Sequence, residues 1–350
     1  MNKPSRRSRG TVTIEDVARV AGVSAMTVSR VINKEKNVRE NTRQRVLAAV
    51  QTLNYSPNSA ARSLAAGEAT HIGLLYSNPS AAYLSQFLVG ALGGARKAGC
   101  HLVIEACESE EESEQSEAAR RFANADVEGV ILPPPLSEAV PILTELAVAD
   151  TPVVTVAMGR LYENALNVRI DDYRAAAEMT EYLLGLGHSR IALITGDLTH
   201  MAAAERQRGF RDAIATSGID AEHIVVEEGL FTFRSGMEAA ERLLDRDPRP
   251  TAIFASNDDM AAAVIGVAHR RGLHVPDDLS VVGFDDTAPA TTVWPELTTI
   301  RQPVAAMAEA ALALLLDDLR SRRAGHAGRS EERVLGHELV VRASAAPPPK

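Results

Sequence analysis

Between Thr13 and Leu53, apolar residues recur at helical spacing in three short runs. In TIEDVARVA, Ile14, Val17, Ala18 and Ala21 fall on one helix face, Thr13 stands at the capping position, and Asp16 occupies the favourable first turn. Gly22 supplies a turn. Ser24 can cap a second helix, AMTVSRVIN, with Val28, Val31 and Ile32 inward and Ala25, Met26, Ser29 and Arg30 outward. A third helix follows Glu40–Asn41, with Val46, Leu47, Val50 and Leu53 on its apolar side. Two helices joined by a tight glycine turn and braced by a third predict a small all-α helix-turn-helix domain.

From Ile72 the pattern changes to short β-rich runs, each followed by a helix-length segment. Eight strands are predicted: IGLLY, LVIEA, GVILP, PVVTVA, IALIT, IVVEE, AIFAS and LSVVGF. They divide near Asp171 into two sets, which predicts two doubly wound parallel-sheet α/β lobes with a cleft between them. Ligands of such sheets bind beyond the carboxyl ends of strands. The candidates there are Asn78 and Tyr83, His200 and Arg206, Phe231, Asn257 and Asp258, and Asp285 with Asp286. Asp258 and Asp286 can equally cap helices, whereas Arg206 has no reason to be buried unless it meets Asp285 or a ligand. The tail ASAAPPPK, residues 343–350, is rich in proline and is expected to be disordered.

Composition narrows the class. The chain of 350 residues is 45% apolar and 24% charged, the balance of a globular protein of two to three domains rather than a disordered one. No unbroken apolar run reaches the roughly 18 residues of a membrane span. The Arg-rich start (Arg6, Arg7, Arg9) runs into TVTIEDVARV, whose acidic pair interrupts any signal-peptide core, so a cytoplasmic, nucleoid-associated protein is expected. Cys100 and Cys107 are too few for a disulfide framework or zinc site and read as buried thiols. The nine histidines show no metal spacing, no GxSxG elbow or phosphate loop occurs, and the Gly90–Gly94 run sits within a helix-like segment. Neither an enzyme nor a metal or cofactor is expected.

Charge divides the chain in two. The net −9 is unevenly spread: residues 1–66 hold 12 Lys and Arg against 4 Asp and Glu, a net +8, while the remainder holds 25 against 42, a net −17. A basic head on an acidic body predicts a polyanion partner for the head alone.

The stretches TIEDVARVAGVSAMTVSRVIN (Thr13 to Asn33) and VRENTRQRVLAAVQTLNYSPNSAARSL, followed in order by LGLGHSRIALITG, RPTAIFASNDDMA, VPDDLSVVGFDD and PELTTIRQP, resemble the LacI/GalR family of bacterial transcription regulators. The resemblance runs from about residue 11 to about residue 342. It implies a basic tail (1–10), a helix-turn-helix domain (11–55), a hinge helix and linker (56–69), and a body like a periplasmic sugar-binding protein whose chain crosses between lobes more than once. The first lobe would comprise 70–170 plus about 303–328, and the second 171–302 plus about 331–342. A transported-sugar binding protein shares that body but not the basic head.

The resemblance also implies roles. A homodimer places two heads on a palindromic double-stranded operator. Ser24 to Arg30 enter the major groove, with Ala25 and Met26 near base edges and Arg30 able to bond guanine bidentately. Thr13, Ser24, Thr27, Ser29 and Asn33 are phosphate anchors. Asn58 and Leu64 belong to a hinge that is marginal as an isolated helix, Leu64 being the wedge that kinks the duplex; Ala65 stands where relatives often carry Lys. Tyr83, Arg206, Phe231, Asn257 and Asp285 match ligand-contacting positions, and Ala157 replaces an acidic ligand contact. The expected function is a repressor whose operator affinity is controlled by a small ligand, a sugar acting as inducer. A purine or other non-sugar co-repressor is the alternative, because Tyr83 and Phe231 match positions from which a relative sandwiches a flat base.

Overall fold

A computed structural model describes residues 14–32, 38–53, 70–107, 111–125, 127–159, 165–220 and 224–349. They fall into two units, divided between Ala69 and Thr70. In the first, α1 (Ile14–Ala21), α2 (Ala25–Ile32) and α3 (Glu40–Thr52) share a core of Val17, Ala18, Ala21, Val28, Val31, Val46 and Ala49. Gly22 takes φ 63°, which a side chain would disfavour. The Arg45 guanidinium donates to the carbonyls of Ala21 (2.5 Å) and Gly22 (3.3 Å), tying α3 to the turn. One expectation fails here: Leu47 is 44% exposed, and Ala49 fills the inward position instead.

The second unit is two lobes, each built on a six-stranded sheet. The first sheet runs β11-β5-β4-β3-β1-β2 and is wholly parallel, from β1 (His71–Tyr76), β2 (His101–Ala106), β3 (Gly129–Leu132), β4 (Val153–Val156), β5 (Leu166–Ile170) and β11 (Glu331–Leu335). Helices α4 (Ala81–Ala98), α5 (Glu112–Asn124) and α6 (Val140–Val148) cover it. The second runs β12-β10-β9-β8-β6-β7, from β6 (Ile191–Thr195), β7 (Ile224–Glu228), β8 (Ala252–Ala255), β9 (Ser280–Asp285), β10 (Thr298–Arg301) and β12 (Glu338–Val340), with only β12 antiparallel. Its helices are α7 (Asp172–Gly185), α8 (Met201–Ser217), α9 (Phe233–Leu244), α10 (Asp258–Arg270) and the short α11 (Ala288–Thr292). The long α12 (Val304–Arg323) returns to pack on α4 and on β3, β4 and β5 of the first lobe. The Gly90–Gly94 run lies inside α4, Gly90 and Gly94 being buried against α12.

The eight predicted strands are present, together with four that the pattern did not reveal: β5, β10, β11 and β12. These are short and carry polar residues for specific partners. In β5 and β11, Arg169 and Glu332 form an ion pair (2.9 Å) where an apolar alternation was sought. The pairing of β11 with β5 also corrects a boundary. Residues 331–335 complete the first sheet, and within 331–342 only β12 joins the second.

The expected disorder of the tail is likewise overturned for its described residues, 343–349. Ser344 is 0% exposed; its Oγ donates to the Val281 carbonyl (2.5 Å) and accepts from Thr298 N (2.8 Å). The Ala346 carbonyl accepts from His188 Nε2 (2.8 Å) and Ser280 Oγ (2.9 Å). Backbone pairing and two hydroxyls hold the segment against the second sheet despite its prolines. Cys100 and Cys107 are free thiols. No helix among the described residues is long and apolar enough to cross a membrane.

Candidate functional site

Both sheets point strand ends at one cavity of about 400 Å³ between the lobes. The first lobe supplies Asn78 after β1, Tyr83 from the first turn of α4, Pro134 to Leu136 after β3, and Ala157 after β4. The second supplies Asp197 and His200 after β6, Arg206 from α8, Phe231 after β7, Asn257 after β8, Asp285 at the end of β9 and Gln302 after β10. Ala157 (φ 60°), Phe231 (φ 58°) and Asp285 (φ 110°) hold left-handed backbone that non-glycine residues disfavour, and all three line the cavity. Strain of this kind collects where a site must aim a side chain.

Arg206 is the electrostatic centre. It is 5% exposed, its Nε donates to Asp172 (2.8 Å), its Nη1 donates to the Ser256 carbonyl (2.6 Å) and lies 3.9 Å from Asp285, and its plane sits 3.7 Å over the Phe284 ring. One guanidinium therefore serves two buried carboxylates. Gln302 donates to Asp285 (2.6 Å). Burial pushes the Asp285 carboxyl up to about 7, against the opposing pull of Arg206 and the Gln302 hydrogen bond. Burial raises Asp172 too, Arg206 again opposing. Facing this group, the buried Tyr83 hydroxyl has no hydrogen-bond partner among the described residues, and burial followed by the nearby Asp285 charge raises its pKa. No cluster of metal-ligating side chains occurs among the described residues.

Other side chains are already committed. Asn257 accepts from Met260 N (3.0 Å), capping α10, and donates to the Phe231 carbonyl (2.8 Å). Asn78 donates to the Pro134 carbonyl (3.0 Å) and accepts from Ser80 N (2.8 Å). Both line the cavity, and both hold its loops. The Phe231 ring lies on the Gly196 backbone, where a Cβ would stand 2.0 Å from the ring.

On the other unit, Ser24 caps α2, its Oγ accepting from Thr27 N (3.2 Å) and lying 2.9 Å from Thr27 Oγ1. Met26 is 66% exposed, Arg30 is exposed, and Ala25, Thr27 and Ser29 are half-buried.

Residues 13–58 match the description "Bacterial regulatory proteins, lacI family", and residues 180–345 match "Periplasmic binding protein-like domain". Catabolite control protein A of Priestia megaterium is 35% identical over 307 residues, 87% of this chain and 91% of that protein. The chain belongs to the lacI family of bacterial regulatory proteins. Among solved structures, a complex of the transcriptional regulator CelR with cellobiose aligns at TM-score 0.70 and 30% identity, over 95% of this chain and 99% of its own. A Lac repressor dimer bound to operator and the anti-inducer ONPF aligns at TM-score 0.69 and 28% identity, over 96% and 100%.

As a lacI-family DNA-binding regulator, the chain brings seven of the nine expected cleft residues together: Asn78, Tyr83, His200, Arg206, Phe231, Asn257 and Asp285. Asp258 and Asp286 are the exceptions, and Asp258 turns inward. It is fully buried away from the cavity, its carboxylate accepting from Thr287 N (2.7 Å) and Thr299 Oγ1 (2.7 Å), so it braces β10 and the 287 turn instead of meeting a ligand. Asp286, 2.7 Å from both Arg301 and Arg342, is an ion-pair residue outside the cavity lining. Asp172 and Gln302 were missed for one reason: they follow β5 and β10, two strands too polar to be predicted, so their ends were not inspected. Thr13, Asn33, Asn58 and Leu64 lie outside the described residues.

Proposed function

We propose that the protein represses transcription by binding a palindromic operator as a homodimer, and that a small neutral carbohydrate in the cleft acts as its inducer. The observation that carries the ligand class is Arg206 shared between Asp172 and Asp285, with Asp197 also on the cavity wall. A hydroxyl can accept from the guanidinium and donate to a carboxylate, whereas a phosphorylated or carboxylated ligand would meet acidic groups on the same wall. Phe231 offers a ring face for sugar stacking, and the unpartnered Tyr83 hydroxyl offers one more polar contact. The cellobiose bound to CelR supports this reading, and Ala157, which offers no side-chain acceptor, argues for a different specificity.

A dimer is supported by the Lac repressor neighbour and by unpartnered apolar residues on the first lobe: Val89 and Leu92 on α4, and Val103 and Ile104 on the edge strand β2. In each head Ser24, Ala25, Met26, Thr27, Ser29 and Arg30 would face the major groove, with Thr13, Asn33 and Asn58 as further contacts and Leu64 as the hinge wedge. A regulator of chromosomal DNA works in the cytoplasm, at the nucleoid.

The second reading, a purine co-repressor, rests on Tyr83 and Phe231 lining the cavity from opposite lobes, as two faces for a flat base. Calorimetry of the full chain against unphosphorylated sugars, sugar phosphates and purine bases separates the two. An unphosphorylated sugar should bind and weaken operator affinity. Tight binding of a purine with no sugar bound overturns the ligand class, and a ligand that strengthens operator binding overturns the inducer role.

A further inference from the structure

We infer that Glu138 is a positioning residue that ties closure of the lobes to the helix carrying Arg206. Helix α8 begins after His200, whose side chain makes no capping hydrogen bond. The first-turn amides of a helix need acceptors from outside it, and its N-terminal end favours an anion. Here the acceptor comes from the other lobe. The Met201 N–H donates to the Glu138 carboxylate, at 3.0 Å from Oε2 and 3.3 Å from Oε1. Glu138 ends the single 3-10 turn (Leu136–Glu138) that follows β3, its side chain is 16% exposed, and His200 Nδ1 stands 3.9 Å from Oε2.

The first lobe grips the same residue a second time. A Cβ on Gly159, which follows β4, would stand 2.5 Å from Met201 Cβ, so the glycine lets the two chains touch. From Met201 the helix runs about one and a half turns to Arg206 in the cavity. Opening the cleft therefore uncaps the helix that presents the ligand-binding cation, whichever class of ligand occupies it. Other bonds cross the cleft as well: Ser80 Oγ donates to Asp259 (2.5 Å) and Gln86 Nε2 to the Asp286 carbonyl (3.2 Å). Loss of the Glu138 cap should thus lower the closed-to-open ratio, by roughly fivefold to tenfold, without abolishing closure.

Three variants of the full chain without ligand test this: Glu138→Ala, Met201→Pro and the double variant. Proline at the first helical position deletes the N–H together with the end of the side chain that lies against Gly159, and the extended backbone of His200 already suits a following proline. Each single variant should raise hydrogen exchange several-fold in the first turn of α8, with exchange in the first-lobe sheet unchanged, and should enlarge the radius of gyration by small-angle scattering. The double variant should go no further than Met201→Pro alone, because that change already removes the bond that Glu138 accepts. Unchanged exchange at α8 in Glu138→Ala, an increase spread evenly over the body, or additive effects would each overturn the assignment. Glu138→Gln, which keeps an acceptor oxygen, should retain most of the protection.

Discussion

In each lobe the same order of parallel strands, β2-β1-β3-β4-β5 and β7-β6-β8-β9-β10, delivers loops to the cleft. The first lobe presents Pro134, Pro135, Leu136, Ala157 and Tyr83, whereas the second presents Asp197, Arg206, Asn257, Asp285 and Gln302. Identical topology thus carries unequal chemistry. The second lobe holds its charged groups in a network of its own, Asp172 to Arg206 to Asp285 to Gln302, before any ligand arrives. The first lobe adds only uncharged groups to the lining, Ser77, Asn78, Ser80 and Gln115 beside the Tyr83 hydroxyl, which has no partner among the described residues. The charged side of the cavity is thus held in place by its own lobe, and the uncharged side by the other.

The largest expected effect breaks the network itself. Arg206→Ala leaves Asp172 and Asp285 buried without the guanidinium they share, so urea unfolding at pH 7 should show a loss of about 3–5 kcal/mol as well as loss of ligand response. A loss below about 1 kcal/mol would mean the network contributes little to the fold. Arg206 is therefore a structural residue of the second lobe as well as a proposed ligand contact.

Next comes pH. Among the described residues the carboxyls raised by burial are Asp172, Asp258 and Asp285, all in the second lobe. For Asp285 the folded value of about 7 exceeds the unfolded value near 3.9, so between those limits the folded state binds more protons. The stability this contributes is complete below about pH 4 and is lost as pH rises through about 7. Relative to Asp285→Asn, the parent chain should lose on the order of 2–3 kcal/mol across that window in urea melts. Parallel slopes for the two proteins would show that Asp285 does not titrate there.

How much of this asymmetry could be read from the sequence depends on which strands betray themselves. The apolar runs IALIT, AIFAS and SVVGF marked their own ends, and so led to Arg206, Asn257 and Asp285. LNVRI and TTIR carry polar side chains that serve specific partners, so the positions after them, Asp172 and Gln302, stayed hidden although they complete the network. Residue type could not tell a ligand contact from a brace. Asp258 and Asp285 both end strand-rich runs, and only the positions of Thr287 and Thr299 decide that Asp258 faces inward. The tail misled for a similar reason: proline content says nothing of a serine whose hydroxyl replaces a missing strand contact.

That tail gives a smaller way to sharpen the comparison, since it straps the second lobe alone. Ser344→Ala strands the Thr298 N–H and removes the donor to the Val281 carbonyl, so the chain should lose about 1–2 kcal/mol by chemical denaturation. Hydrogen exchange should rise in β9 and β10 and stay unchanged in β1 and β3. Equal increases in both sheets would mean that the lobes do not differ in how their edges are held.

The smallest effect on stability is expected in the first lobe, at Tyr83. The Tyr83 hydroxyl is buried without a hydrogen-bond partner among the described residues, so Tyr83→Phe removes a desolvated group with no hydrogen bond to them. The unfolding midpoint should stay within about 0.5 kcal/mol of the parent or rise slightly. Ligand affinity should nonetheless fall by about tenfold if the phenol meets a ligand hydroxyl, because one hydrogen bond in a dry cavity is worth on the order of 1 kcal/mol. This combination, unchanged stability with weakened binding, is the reverse of Arg206→Ala, where the two fall together. A stability loss above about 1 kcal/mol in Tyr83→Phe would show that the phenol is already partnered and that the first lobe, too, is preorganised.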